Sequence, residues 1–175
     1  FCASLWPSFT GLMDLFLIDG IAPFFRSYGR EVVNWSKAPF PHLEKGGGLD
    51  PERCKQIRRD FKVFCERAAA AGYNAVTLDD LAHLCSFGFY PEALQEKIAR
   101  YRDFFGELFS IAEGFGMRVF VTTDLLFFND AIERHVGRRD DALRQFATGC
   151  CRQLLETFPS AGGVVVRIGE ADGLD

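Results

Sequence analysis

The sequence predicts an α/β fold, a parallel sheet laid down as βαβαβαβ within a single domain covering residues 1–175. Two observations predict it. Short apolar runs rich in β-branched residues alternate with long stretches whose apolar residues recur at three- and four-residue spacing, the marks of buried strands and amphipathic helices. One construction also occurs three times: Asp80 lies eight residues after Gly72, Asp124 eight after Gly116, and Glu170 eight after Gly162. In each case a glycine ends a helix, an apolar run forms a strand, and an acid stands where the strand leaves the sheet.

Leu12 to Ile18 reads as the first strand, closed by Asp19-Gly20. Ile21 to Gly48 follows as a long irregular segment with Trp35, His42 and the Gly46-Gly47-Gly48 run. Its aromatic content predicts an ordered excursion over one end of the sheet. Asp50-Pro51-Glu52 is a helix start, an N-cap aspartate followed by proline at the first helical position. That helix runs to about Ala71 with Ile57, Phe61, Phe64, Cys65 and Ala68 on one stripe, and Gly72 stops it. Asn74 to Leu78 is the second strand, ending at Asp79-Asp80. Pro91-Glu92 opens a second helix with Leu94, Ile98, Tyr101, Phe105, Leu108 and Ile111 on one face, closing at Gly114 to Gly116. Arg118 to Thr122 is the third strand, ending at Asp124. Asp140-Asp141 starts a third helix that Pro159 ends, and Gly163 to Ile168 is the fourth strand.

Composition excludes several functions. A formal charge of −4 and a pI near 5.4 argue against a nucleic-acid surface, which is usually basic. No run approaches the ~18 uncharged apolar residues of a membrane span. Hydrophobic residues at 48% supply a core without disulfides, so Cys2, Cys54, Cys65, Cys85, Cys150 and Cys151 read as reduced, mostly buried thiols in a cytoplasmic protein. Neither their spacing nor the three histidines suit zinc, and no cofactor is expected. The chain begins at Phe1, without a signal peptide's basic start or cleavage site, and reads as processed or as a fragment.

Two architectures accommodate the element order. A doubly wound sheet often carries a glycine-rich phosphate loop after its first strand, and Asp19-Gly20-Ile21-Ala22-Pro23 is not one. A (β/α)8 barrel places its catalytic groups at the carboxyl ends of several strands, and here all four end in acids: Asp19, Asp79-Asp80, Asp124 and Glu170. The barrel is the favoured reading. A whole barrel takes roughly 250 residues, so this chain is expected to supply its first half, with an open edge awaiting further strands or self-association.

A glutamate ending the fourth strand, after strands ending in acids and a long aromatic loop, resembles the (β/α)8 glycoside hydrolases. The resemblance implies a carbohydrate substrate and a general acid/base at Glu170 in Arg167-Ile-Gly-Glu170. Gly169 departs from it, standing where the large retaining clan usually has asparagine. Glycoside cleavage needs two carboxyls, one of them protonated near neutral pH, and a glutamate at the mouth of an apolar strand among other acids suits that demand. Asp19, Asp79, Asp80 and Asp124 then become sugar-hydroxyl ligands, with His83 as a donor and Trp35 as a stacking platform. Each has a structural alternative: a turn with Gly20 for Asp19, a helix cap for Asp79 or Asp80, loop packing for Trp35. His42 and His135 read as surface or structural residues. Arg167 lies on the face opposite Glu170 if the strand alternates strictly. A bulge at Gly169 would bring both into the cavity, where Arg167 would bind a substrate oxygen or carboxylate. Two other functions stay open: an aldolase, isomerase or metal-dependent barrel enzyme that uses the acids as ligands, and a barrel that binds carbohydrate without cleaving it.

Overall fold

The computed structural model describes residues 14–19, 43–124, 127 and 129–167, with the side chains of Asp124 and Arg167 excepted. Trp35, His42 and Glu170 lie outside the described residues. In chain order the elements are β1 (Leu17–Asp19), β2 (Glu44–Lys45), β3 (Gly48–Leu49), α1 (Pro51–Ala70), β4 (Ala75–Asp79), a 3-10 turn (Leu81–His83), α2 (Glu92–Glu113), β5 (Arg118–Asp124), α3 (Asp130–Val136), α4 (Asp140–Thr157) and β6 (Gly163–Arg167). β1, β4, β5 and β6 form one parallel sheet in that order. This is the α/β unit of alternating strands and helices that the sequence predicts.

The sheet order never reverses. Each new strand is added beside the last, and right-handed crossovers then stack the intervening helices on one face. The packing agrees. Val76 and Leu78 of β4 and Val119 and Val121 of β5 share a single core cluster with Phe61 of α1, Phe105 of α2 and Leu154 of α4. Phe61 and Phe105 are fully buried, and each buried aromatic removes a large apolar area from water.

Local chemistry sets the ends. The Asp50 carboxylate accepts from the backbone N–H of Glu52 at 3.0 Å and of Arg53 at 3.4 Å, capping α1 as its sequence predicts. Gly72 and Gly116 leave α1 and α2 at φ 91° and 71°, a backbone conformation that costs glycine little. Asn74 then clamps the short β1: its side chain accepts from Phe16 N at 2.9 Å and donates to the Asp14 carbonyl at 2.6 Å.

Four features differ from the sequence reading, the first being that residues 14–16, read as part of the first strand, lie outside β1, which runs Leu17–Asp19. Within the long segment after β1, Glu44–Lys45 and Gly48–Leu49 pair as an antiparallel ribbon. Gly46 and Gly47, both at positive φ, make its turn, the glycine-dependent geometry of a tight hairpin. The strand-three segment runs two residues further, to Asp124, because its polar end stays in register with β6. α3 was not foreseen. It is only 7 residues long, too short for a helical period to stand out, although its Asn129 cap, accepting from Ile132 N at 2.9 Å, is an ordinary start signal.

Candidate functional site

The pairing register places the strand-end residues. Asp19 is opposite Thr77, Asp79 opposite Thr122, and Asp124 opposite Arg167. Residues opposite each other in a sheet share a face, and so do residues two apart along a strand. Positions 19, 77, 79, 122, 124 and 167 therefore lie on one face, and the core valines and leucine on the other. Helices cover the apolar face; the second face, which also carries Leu17, Ala75, Phe120 and Val165, presents these polar positions as a strip climbing across the carboxyl ends of four strands. Position 167 falls on the same face as the strand-end acids, level with Asp124; Gly169 and Glu170, on which the parity of Arg167 and Glu170 depends, lie outside the described residues.

The middle of this strip is desolvated. Thr77 and Thr122 are each 4% exposed and Asp79 is fully buried. Thr77 Oγ1 donates to Asp19 Oδ1 at 2.8 Å, tying the ends of β1 and β4 together. Thr122 Oγ1 is buried with no hydrogen-bond partner among the described residues. A buried hydroxyl without a partner costs about 1–3 kcal/mol, and native interiors seldom carry one. Among the described residues, no group of three or more His, Cys, Asp and Glu is placed to hold a metal ion, and no helix is long and apolar enough to cross a membrane.

Asp80 has turned away from the strip. Its Oδ1 accepts from Ala82 N at 3.2 Å, the cap anticipated for this pair, and its Oδ2 lies 3.7 Å from Nδ1 of His83. His83 in turn meets Tyr101 edge-on, with ring centroids 5.4 Å apart. Tyr101 donates its hydroxyl to Glu44 Oε1 at 2.7 Å, and Lys97 Nζ lies 2.7 Å from the same oxygen. Burial raises the Glu44 carboxyl, but the Lys97 and Tyr101 contacts outweigh it and hold the group below the usual glutamate value. The same carboxylate, after the larger effect of burial, pushes the Tyr101 phenol up. The hairpin, α2 and the 3-10 turn are thus joined by one polar chain.

The structure accordingly separates the sequence candidates. The register puts positions 19, 79, 124 and 167 on the face of the polar strip. Asp80 and His83 belong to a neighbouring cluster with Tyr101, Lys97 and Glu44. His135 stacks on Phe89 at a centroid distance of 4.3 Å, a structural contact. Thr77, Thr122 and Glu44 escaped the sequence reading. Thr77 carries a signal, since polar residues alternate in Ala75-Val76-Thr77-Leu78-Asp79; Thr122 sits in the unbroken polar run Thr122-Thr123-Asp124, which marks a strand end but not a face. Glu44 carries none, because its partners are more than fifty positions away.

No family model matches the chain, and no curated protein matches it. Among solved structures it is similar to a GH138 enzyme targeting pectin rhamnogalacturonan II, at a TM-score of 0.60 and 17% identity over 90% of this chain. The chain spans 19% of that enzyme's length. At such identity the likeness is one of fold.

Proposed function

We propose that this chain forms the first half of a (β/α)8-type carbohydrate hydrolase whose polar strip faces the substrate. The observation that carries the reading is the strip itself: acids at the carboxyl ends of successive strands on one sheet face, Asp79 fully buried and Asp19 exposed, with the Thr122 hydroxyl buried and without a partner among the described residues. An unreversed strand order is what half a barrel requires, and carboxyl ends of strands are where barrel enzymes place their chemistry. The similarity in fold to part of a pectin-targeting glycoside hydrolase supports the same class.

Glu170, three residues beyond Arg167, would serve as general acid/base. Asp19, Asp79, Asp124 and Arg167 would hold substrate hydroxyls or a carboxylate, with Trp35 as a stacking surface and Asp80 and His83 at the margin. Desolvation in such a strip raises the proton affinity of a carboxyl, which a general acid needs near neutral pH. The second carboxylate and the remaining strands would come from beyond this chain.

The test is hydrolysis of a panel of aryl glycosides and glycuronides by the polypeptide carrying this chain, with Glu170→Gln beside it. Loss of an acid/base lowers the rate roughly 10²–10⁴-fold, and less for leaving groups that need no proton. An unaffected mutant would remove Glu170 from the chemistry. A panel without turnover, together with divalent metal raising the melting temperature, would favour a metal-dependent barrel enzyme.

A further inference from the structure

A concavity lies at the carboxyl end of the sheet, apart from the polar strip, between the 3-10 turn, the first half of α2 and α3. Its volume is about 510 Å³, within the range of small-ligand sites. Leu94, Ile98 and Ala131 give it an apolar floor. Polar groups converge on it from three directions: Lys97 of α2, Arg134 of α3, and Tyr90 just before α2.

The charges facing this space are unusual for a chain of net charge −4. Lys97 Nζ forms an ion pair with Glu44 Oε1 at 2.7 Å, and its ammonium has further N–H groups to donate. Arg134 spends its Nε on the Asp130 carbonyl at 2.9 Å, and among the described residues no carboxylate pairs with its guanidinium. Asp130 is the acid of the lining. Tyr90 accepts from Asn129 Nδ2 at 3.4 Å, which leaves its own O–H to donate. Burial, ahead of the smaller Asn129 contact, pushes that phenol up to about 12, so it stays a neutral donor at ordinary pH. Lys97, Arg134 and the neutral Tyr90 donor, with His83 and Asp130 also in the lining, therefore surround an apolar floor, a combination that suits an oxyanion attached to a ring.

We propose that this cleft binds a small ring-bearing organic carboxylate, its carboxylate held between Lys97 and Arg134 and its ring lying on Leu94 and Ile98. The proposal rests on the cleft's own charges and floor, not on the glycosidase reading. Either can fail without the other. A free apolar-ring acid and an acidic sugar unit share the required chemistry.

The experiment is calorimetric or NMR titration of the chain with benzoate and with glucuronate, using benzamide and glucose as neutral controls. Saturable binding of at least one acid and of neither control is expected. Benzoate alone would identify an apolar-ring acid, glucuronate alone an acidic saccharide. Arg134→Gln and Lys97→Met, both at solvent-accessible positions, should each weaken binding about tenfold or more, the effect of losing a charged hydrogen bond. Tyr90→Phe should weaken it less. Thermal melts of the variants separate lost binding from lost fold. Equal binding of the controls, unchanged binding in folded Arg134→Gln, or no saturable binding by either acid would overturn the assignment.

Discussion

At the scale of single residues, most of the chemistry is decided by what each polar group meets. Glu44 is the clearest case. Its folded pKa lies below the ordinary glutamate value of 4.5, burial opposing and the Lys97 and Tyr101 contacts prevailing. A depressed carboxyl contributes stability that is fully present above the unfolded value and is lost as pH falls through the folded one. Melting temperatures of wild type and Glu44→Gln should therefore differ at neutral pH, with wild type the more stable, and converge on acidification below pH 4.5. Parallel curves throughout would show that the Glu44 contacts contribute nothing to folding. Cysteines behave differently. Cys65 is buried, and that burial pushes its thiol up to about 12. It should resist alkylation at neutral pH until the protein unfolds, which a quench-flow or mass-spectrometric labelling course would detect.

At the scale of elements, two glycines make opposite predictions. A Cβ on Gly162, just before β6, would stand 2.6 Å from Cε2 of the Phe120 ring, and Gly162 N also donates to the Val119 carbonyl at 2.7 Å. Gly162→Ala should destabilise by about 1–3 kcal/mol, the usual cost of overpacking. Gly106 lies inside α2, where an added Cβ would meet only Phe158 at an ordinary 3.8 Å. Gly106→Ala should stabilise by about 0.5–1 kcal/mol, since glycine in a helix interior costs that much relative to alanine. Urea midpoints at constant m-value measure both.

The elements also show what was legible in the sequence. α1, α2 and α4 declared themselves through long apolar stripes, α1 also through its Asp50 cap, and β4 and β5 through apolar runs between a helix-ending glycine and an acid. α3 and the β2–β3 hairpin were missed because neither is long enough to display a period. The alternation that defines the polar strip was written in Thr77 and Asp79, but valines and leucine on the opposite face made the strands look uniformly apolar. Register, which decides that Arg167 lies level with Asp124, depends on pairing between segments over forty positions apart. No local pattern encodes it.

At the scale of the molecule, one face of a singly wound sheet is closed by helices and the other carries polar residues toward the carboxyl ends of its strands. A fold gains nothing from a desolvated hydroxyl without a partner, so Thr122 is the residue through which the purpose of that face is most directly questioned. The decisive measurement is a paired one on Thr122→Val, a change of nearly equal shape: its unfolding free energy, and its turnover of whichever substrate the glycoside panel identifies. If the strip faces substrate, the variant keeps its stability or gains about 1 kcal/mol, from losing an unsatisfied hydroxyl, while turnover falls by about tenfold, the effect of one missing hydrogen bond to a reacting ligand. A variant that loses stability yet turns substrate over as fast as wild type would make the strip part of the scaffold and contradict the proposed site.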